Sequence, residues 1–163
     1  MRPAFHEKTQ AGIKYAWHSV IDAGGMEVWH GNCKIYHQNG QLMEDGEYVF
    51  GKKCGIWRVW HDNGNLAEEG KLLDGVDDGE WMYWRRYGSL AERGNWKLGL
   101  AHGTWEVHLK LGRMLIGEWR DGERWNGECY TNGRYTKHTD GVLLIEGTLL
   151  DIFDIADADE ELR

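Results

Sequence analysis

Residues 55–105 read GIWRVWHDNGNLAEEGKLLDGVDDGEWMYWRRYGSLAERGNWKLGLAHGTW. The opening of this run, Gly55-Ile-Trp57-x-x-Trp60, returns as Gly79-Glu-Trp81-x-x-Trp84 and again as Gly103-Thr-Trp105-x-x-His108. The step is 24 residues each time. A fixed period of this length marks a repeat architecture, in which each unit buries its apolar face against the next.

One unit carries eight landmarks, seen as Gly55, Trp57, Trp60, Gly64, Leu66, Gly70, Leu72 and Gly75. A shift of one period finds Gly79, Trp81, Trp84, Gly88, Leu90, Gly94, Trp96 and Gly99. The backward shift finds Gly31, Cys33, Tyr36, Gly40, Leu42, Gly46, Tyr48 and Gly51. Forward lie Gly103, Trp105, His108, Gly112 and Met114; Gly117, Trp119 and Gly122 then come one residue early, and Gly127, Cys129 and Gly133 begin a partial fifth unit. Gly55 to Trp60 alternates, with Trp57 and Val59 on one face and Ile56, Arg58 and Trp60 on the other. His61-Asp-Asn-Gly64 is a hairpin turn, because Asn and Gly tolerate positive φ. Leu66, Glu68, Gly70 and Leu72 share one face of the return strand, and a glycine inside a strand marks the close approach of something bulky, here a Trp of the adjacent hairpin. The glycines are too frequent for helices, so the chain is predicted all-β, a series of β-hairpins.

The pattern G-x-W-x-x-W/Y-x-x-x-G-x-L-x-x-x-G-x-φ-x-x-G, with φ apolar, resembles the MORN-variant repeat, which occurs in bacterial proteins of the antitoxin-component type. The resemblance covers about two thirds of the chain, residues 31–135 in roughly four and a half units. It implies an elongated, twisted antiparallel sheet of stacked hairpins. It also implies a non-enzymatic scaffold that binds a protein partner, as an antitoxin, immunity protein or inhibitor does. Related repeats leave two alternatives: a peripheral membrane or phospholipid-headgroup scaffold, and a small-ligand binder that uses aromatic cages.

Ten Trp, 23 Gly and one Pro in 163 residues fit short strands and tight turns. Residues 1–30 are expected to form a capping hairpin, with a strand at 13–21, a turn at Asp22-Ala-Gly24-Gly25 and a strand from Met26. Residues 136–156 are expected to form a C-terminal cap, with a strand at Val142–Ile145 and a short helix or last strand after it. Residues 157–163 read as an acidic tail. Net charge is −8; residues 151–163 hold six acids and one Arg, leaving 21 acids and 18 bases elsewhere. No basic face for nucleic acid is evident. The first residues lack a signal peptide's apolar core and no apolar run approaches a membrane span, so a cytoplasmic protein is expected.

Chemistry is sparse. No phosphate loop, metal-spaced His pair or nucleophile elbow is present, so no cofactor, metal or catalytic residue is expected. Cys33 and Cys129 take the slot of Trp57, Trp81 and Trp105; four units apart they would lie about 40 Å from each other, too far for a disulfide. Cys54 is expected in a turn. His37 and His61 hold equivalent turn positions and could stack on one rim. Glu68, Glu69, Asp77 and Asp78 read as solvated.

Two aromatic ladders follow. Trp57, Trp81 and Trp105, with Val59, Tyr83, Val107, Leu66, Leu90, Leu72 and Trp96, are expected to form the core between hairpins. Tyr36, Trp60, Trp84 and His108, interleaved with Lys34, Arg58, Met82, Arg85 and Arg86, are the candidate face for a protein partner. Trp, Tyr, Met and Arg are what interfaces enrich.

Overall fold

The computed structural model describes residues 3–108, 114–131, 134–140 and 142–148, with the backbone alone at 114–115, 128–131, 134–136 and 142–148. All regular structure is β: β1 Ala4–Gln10, β2 Ile13–Ile21, β3 Glu27–Tyr36, β4 Leu42–Val49, β5 Lys52–Trp60, β6 Leu66–Leu73, β7 Val76–Trp84, β8 Leu90–Lys97, β9 Leu100–His108, β10 Met114–Arg120, β11 Glu123–Thr131, β12 Arg134–Thr139 and β13 Val142–Thr148. Sheet order is chain order from β1 to β13. This is the all-β hairpin series that the 24-residue period predicts. The strand expected at 13–21 is β2, the strand expected from Met26 is β3 and begins one residue later at Glu27, and β1 is an additional strand paired to β2. The strand expected at Val142 is β13; the stretch from Ile152 and the acidic tail lie outside the described residues.

From β3 to β9 the turns alternate between two kinds. Long loops such as 61–65 close one side of each hairpin, with the amide of Gly64 donating to the carbonyl of His61 at 2.9 Å. Two-residue turns close the other; Asp74 and Gly75 have φ of 53° and 88°, the type I′ pair whose twist matches the strands. The strands begin earlier than the glycine landmarks suggest. β5 starts at Lys52, so Cys54 lies in a strand and not in a turn. Gly55, with φ of 73°, sits inside β5 at a bulge: Asp45 pairs Arg58 while Glu47 pairs Cys54.

The chain divides into two compact units, residues 1–78 with 86–88, and residues 79–85 with 89–163. In the first unit the core runs across five strands on one face. His6 stacks on Trp17 (5.1 Å), Trp17 on Trp29 (5.4 Å), Trp29 meets Tyr48 edge-on (4.9 Å), and Tyr48 meets Trp57 edge-on (5.3 Å). Trp57 is 2% exposed, and a Cβ added at Gly46 would fall well inside its ring's van der Waals radius. Glycine at that landmark is therefore space for the neighbouring Trp, as expected. In the second unit Trp105 is related to Gly94 in the same way, with Trp96 edge-on at 5.2 Å. Burial of such rings dominates the stability of a thin sheet, and the pairwise ring geometry adds to it.

Candidate functional site

The predicted partner face divides between the two units. Tyr36, Arg58, Trp60 and Arg86 belong to the first, and Met82, Trp84, Arg85 and His108 to the second. Tyr36, Trp60, Trp84 and His108 are the last residues of β3, β5, β7 and β9, and the first three end their strands at long loops. All four are half-buried. Register shifts fall immediately before Tyr36, Trp60 and Trp84, between Ile35/Tyr36, Val59/Trp60 and Tyr83/Trp84. The extra residue of each bulge lies on the return strand, at Met43, Ala67 and Ala91, so the pairing across each hairpin shifts by one at these aromatics.

Side chains stitch the long loops to one another. In the first unit His37 donates through Nε2 to the carbonyl of Trp60 at 2.8 Å. Asn39 donates to the carbonyl of Asp62, and Asn63 to that of Arg86 (2.8 Å). In the second unit Arg85 bonds the carbonyls of Leu90 (2.9 Å) and His108. Arg85 is thus a loop clamp. Arg86 instead pairs with Asp62, and that hydrogen bond holds the Asp62 carboxyl below its ordinary value.

Arg58 lies in an ionic ladder: Lys34 to Asp45 at 3.0 Å, then Arg58 to Glu69. Met82 pairs Arg93 across β7 and β8, and Arg93 forms an ion pair with Glu106 at 2.7 Å. Glu106 is held below the ordinary carboxyl value by that hydrogen bond. His108 lies 3.6 Å from the same carboxylate. The loop between Trp84 and Ser89 also presents Tyr87, which is 85% exposed. Tyr87 escaped the sequence reading because it holds a turn slot, occupied by Asn39 and Asn63 in the preceding repeats, rather than a landmark. The 24-residue spacing of those three was the available signal.

The Trp57 face is more polar than its landmarks suggest. Glu44, Glu68 and Glu92 recur at the repeat interval on this face. Glu44 pairs with Lys53 at 3.1 Å, and the Lys53 ammonium lies 4.0 Å from the Trp57 ring centroid. Burial raises the carboxyls of Glu68, Asp77 and Glu92 above their ordinary values. Glu68 and Asp77 are therefore not the solvated groups expected. The second unit holds an open cleft of about 410 Å³, lined among others by Tyr83, Glu92, Trp96, Ala101, Trp105 and Trp119.

Two polar features are structural. Ser19, 2% exposed, donates to Glu27 at 2.6 Å and accepts from His6 Nε2 at 2.7 Å. The cluster pins β1 to the β2–β3 hairpin, with a hydroxyl too enclosed to act as a nucleophile. Cys33 is 1% exposed and burial pushes its thiol up to about 11, so it is inert at neutral pH. The Cys129 side chain lies outside those described. Among the described residues no group of three His, Cys, Asp or Glu side chains could hold a metal.

Two adjacent stretches, 29–49 and 53–72, match the family model of the MORN repeat variant. They coincide with the β3–β4 and β5–β6 hairpins. No curated protein matches the chain. MORN repeat variants suggest a scaffold for binding, and the stitched hairpins are consistent with one.

Proposed function

We propose that the protein is a non-enzymatic protein-binding scaffold of the antitoxin, immunity or inhibitor type, which neutralises a partner protein by covering its active surface. The observation that carries this is Tyr87, an aromatic side chain 85% exposed at a loop tip beside Arg86. Tyr and Arg are the residues that dominate interface energetics. In the first unit the loops around it are already tied by His37, Asn39 and Asn63, so a partner meets a surface that needs little further ordering. Tyr36, Trp60 and Arg86 flank the same set of loops and are the further contacts we assign. An anionic-lipid surface fits less well: Lys34, Lys53, Arg58, Arg86 and Arg93 are each engaged by a carboxylate.

The test is co-expression with the product of the adjacent gene. The expected result is a stable co-purifying complex and relief of any growth defect that product causes. Tyr87→Ala should weaken the complex at least tenfold while leaving the melting temperature unchanged. A chain that neither co-purifies nor restores growth contradicts the proposal.

A further inference from the structure

The repeat supplies its own internal comparison between the surroundings of Trp57 and Trp105, two periods apart. Tyr48 and Lys53 lie against Trp57, and the period adds Ile35, Glu44 and Leu72 to the positions compared. The corresponding residues around Trp105 are Tyr83, Glu92, Trp96, Ala101 and, allowing for the one-residue slip, Trp119. The frame is otherwise the same. Each Trp lies over a glycine, and each indole Nε1 donates to a backbone carbonyl, of Glu47 at 3.3 Å or of Asn95 at 3.1 Å.

In the first unit a cation fills the space beside the ring. The Lys53 ammonium sits on Trp57 and is neutralised by Glu44. In the second unit the carboxylate is retained as Glu92 but the lysine is Ala101. Two aliphatic neighbours are now aromatic, Tyr83 and Trp119. The cleft of about 410 Å³ opens at this place, with Glu92 and the rings of Tyr83, Trp96, Trp105 and Trp119 among its lining. Tyr83 and Trp105 are near-parallel at 6.5 Å, and Trp119 is inclined to Trp105 at 6.5 Å. Trp96 is held by donating to the Tyr83 hydroxyl at 3.2 Å. Among the described residues Glu92 makes no ion pair. Arg124 lies 5.3 Å over the Trp119 ring, and burial raises the Glu92 carboxyl.

We propose that this cleft binds a small organic cation of the methylated-ammonium class, seated against Trp105 beside Glu92, where the first unit seats its own lysine. Aromatic faces attract a cation through their quadrupoles, most strongly when it is desolvated. A methylated ammonium is weakly hydrated and apolar at its surface, so it loses less than a bare ammonium on entering a ring-lined cleft. The carboxylate supplies the counter-charge. The site is independent of the loop surface around Tyr87, and either proposal can fail without the other.

Calorimetric titration of the full chain with choline and with 3,3-dimethylbutan-1-ol, its neutral isostere, tests the inference. Choline should bind saturably and at least tenfold more tightly than the isostere. Ala101→Lys, which reproduces the lysine of the first unit, should abolish binding and keep the wild-type circular dichroism spectrum. Glu92→Gln should weaken it at least tenfold and provides a second variant of minimal steric change. Equal affinity for the isostere, no saturable binding of choline, or full binding by a folded Ala101→Lys variant overturns the proposal. Phosphatidylcholine vesicles distinguish the source of the cation. Vesicle binding lost in Ala101→Lys supports a lipid headgroup, and binding of free choline without vesicle binding supports a soluble ligand. Vesicle binding that persists in the variant counts against the cleft.

Discussion

Trp57 and Trp105 occupy the same slot in two repeats and differ in what lies beside them. Both cross a strand glycine, both meet an aromatic edge-on, and both donate to a main-chain carbonyl. Around Trp57 the remaining space is filled by Lys53, paired with Glu44. Around Trp105 the same space is a cleft with a half-buried carboxylate on its wall. The lesson is that the repeat separates two tasks. Glycine, Trp and turn positions build the hairpin, while the positions between them are free to close a site or open one.

Removing the rings tests whether the two frames are equivalent. Trp57→Ala and Trp105→Ala should each cost about 3–5 kcal/mol in chemical denaturation. A cost below about 1 kcal/mol at either position would break the equivalence, because that ring would not be a packing element. Filling the glycine space comes next. Gly46→Ala and Gly94→Ala should cost about 1–3 kcal/mol, since the new methyl collides with ring atoms held by burial rather than with a flexible chain end. Shrinking the facing Trp to Leu in the same chain should return part of that cost as a favourable coupling of about 1 kcal/mol.

The polar half of the comparison yields smaller effects. Lys53→Ala strips the cation from Trp57 and leaves Glu44 without its partner; the expected loss is about 1 kcal/mol. Glu92→Gln should act in the opposite direction and raise the melting temperature at neutral pH by about 2 °C. Burial raises the Glu92 carboxyl, so the native state holds its proton more tightly than the unfolded chain does. Stability from this group is therefore lost as pH rises from the ordinary 4.5 through the raised value. Glutamine escapes that loss, so its advantage is full above the raised value and fades as pH falls toward 4.5. Thermal melts of the variant and wild type across this range check the sign.

Much of the fold was legible in the residues. The period, the hairpin turns and the strand glycine as space for a neighbouring Trp all follow from local rules of spacing and turn chemistry. The partner face was less legible. Tyr36, Trp60 and Trp84 stand just past register shifts, where an extra residue on the facing strand displaces the cross-strand pairing that counting assumes. Tyr87 was missed because exposure at a loop tip depends on which neighbours bond across the loop, and the loop's own composition does not state this. The burial of Glu68 and Asp77 was missed for a similar reason. Adjacent acids look solvated in a sequence, yet strand pleating turns Glu68 onto the Trp face and Glu69 toward Arg58.

The sequence by itself determined the repeat, its length and the identity of the packing pair, because a glycine and a Trp at fixed spacing impose steric requirements that few arrangements satisfy. Only the tertiary structure decided which charges are paired and which are left beside a cleft. Lys53 and Glu44 are nine residues apart, and their meeting over Trp57 depends on strand register and on how the ring lies. Ala101 acquires meaning only against that arrangement. The absence of a side chain is invisible in a sequence until the space it leaves is enclosed by others.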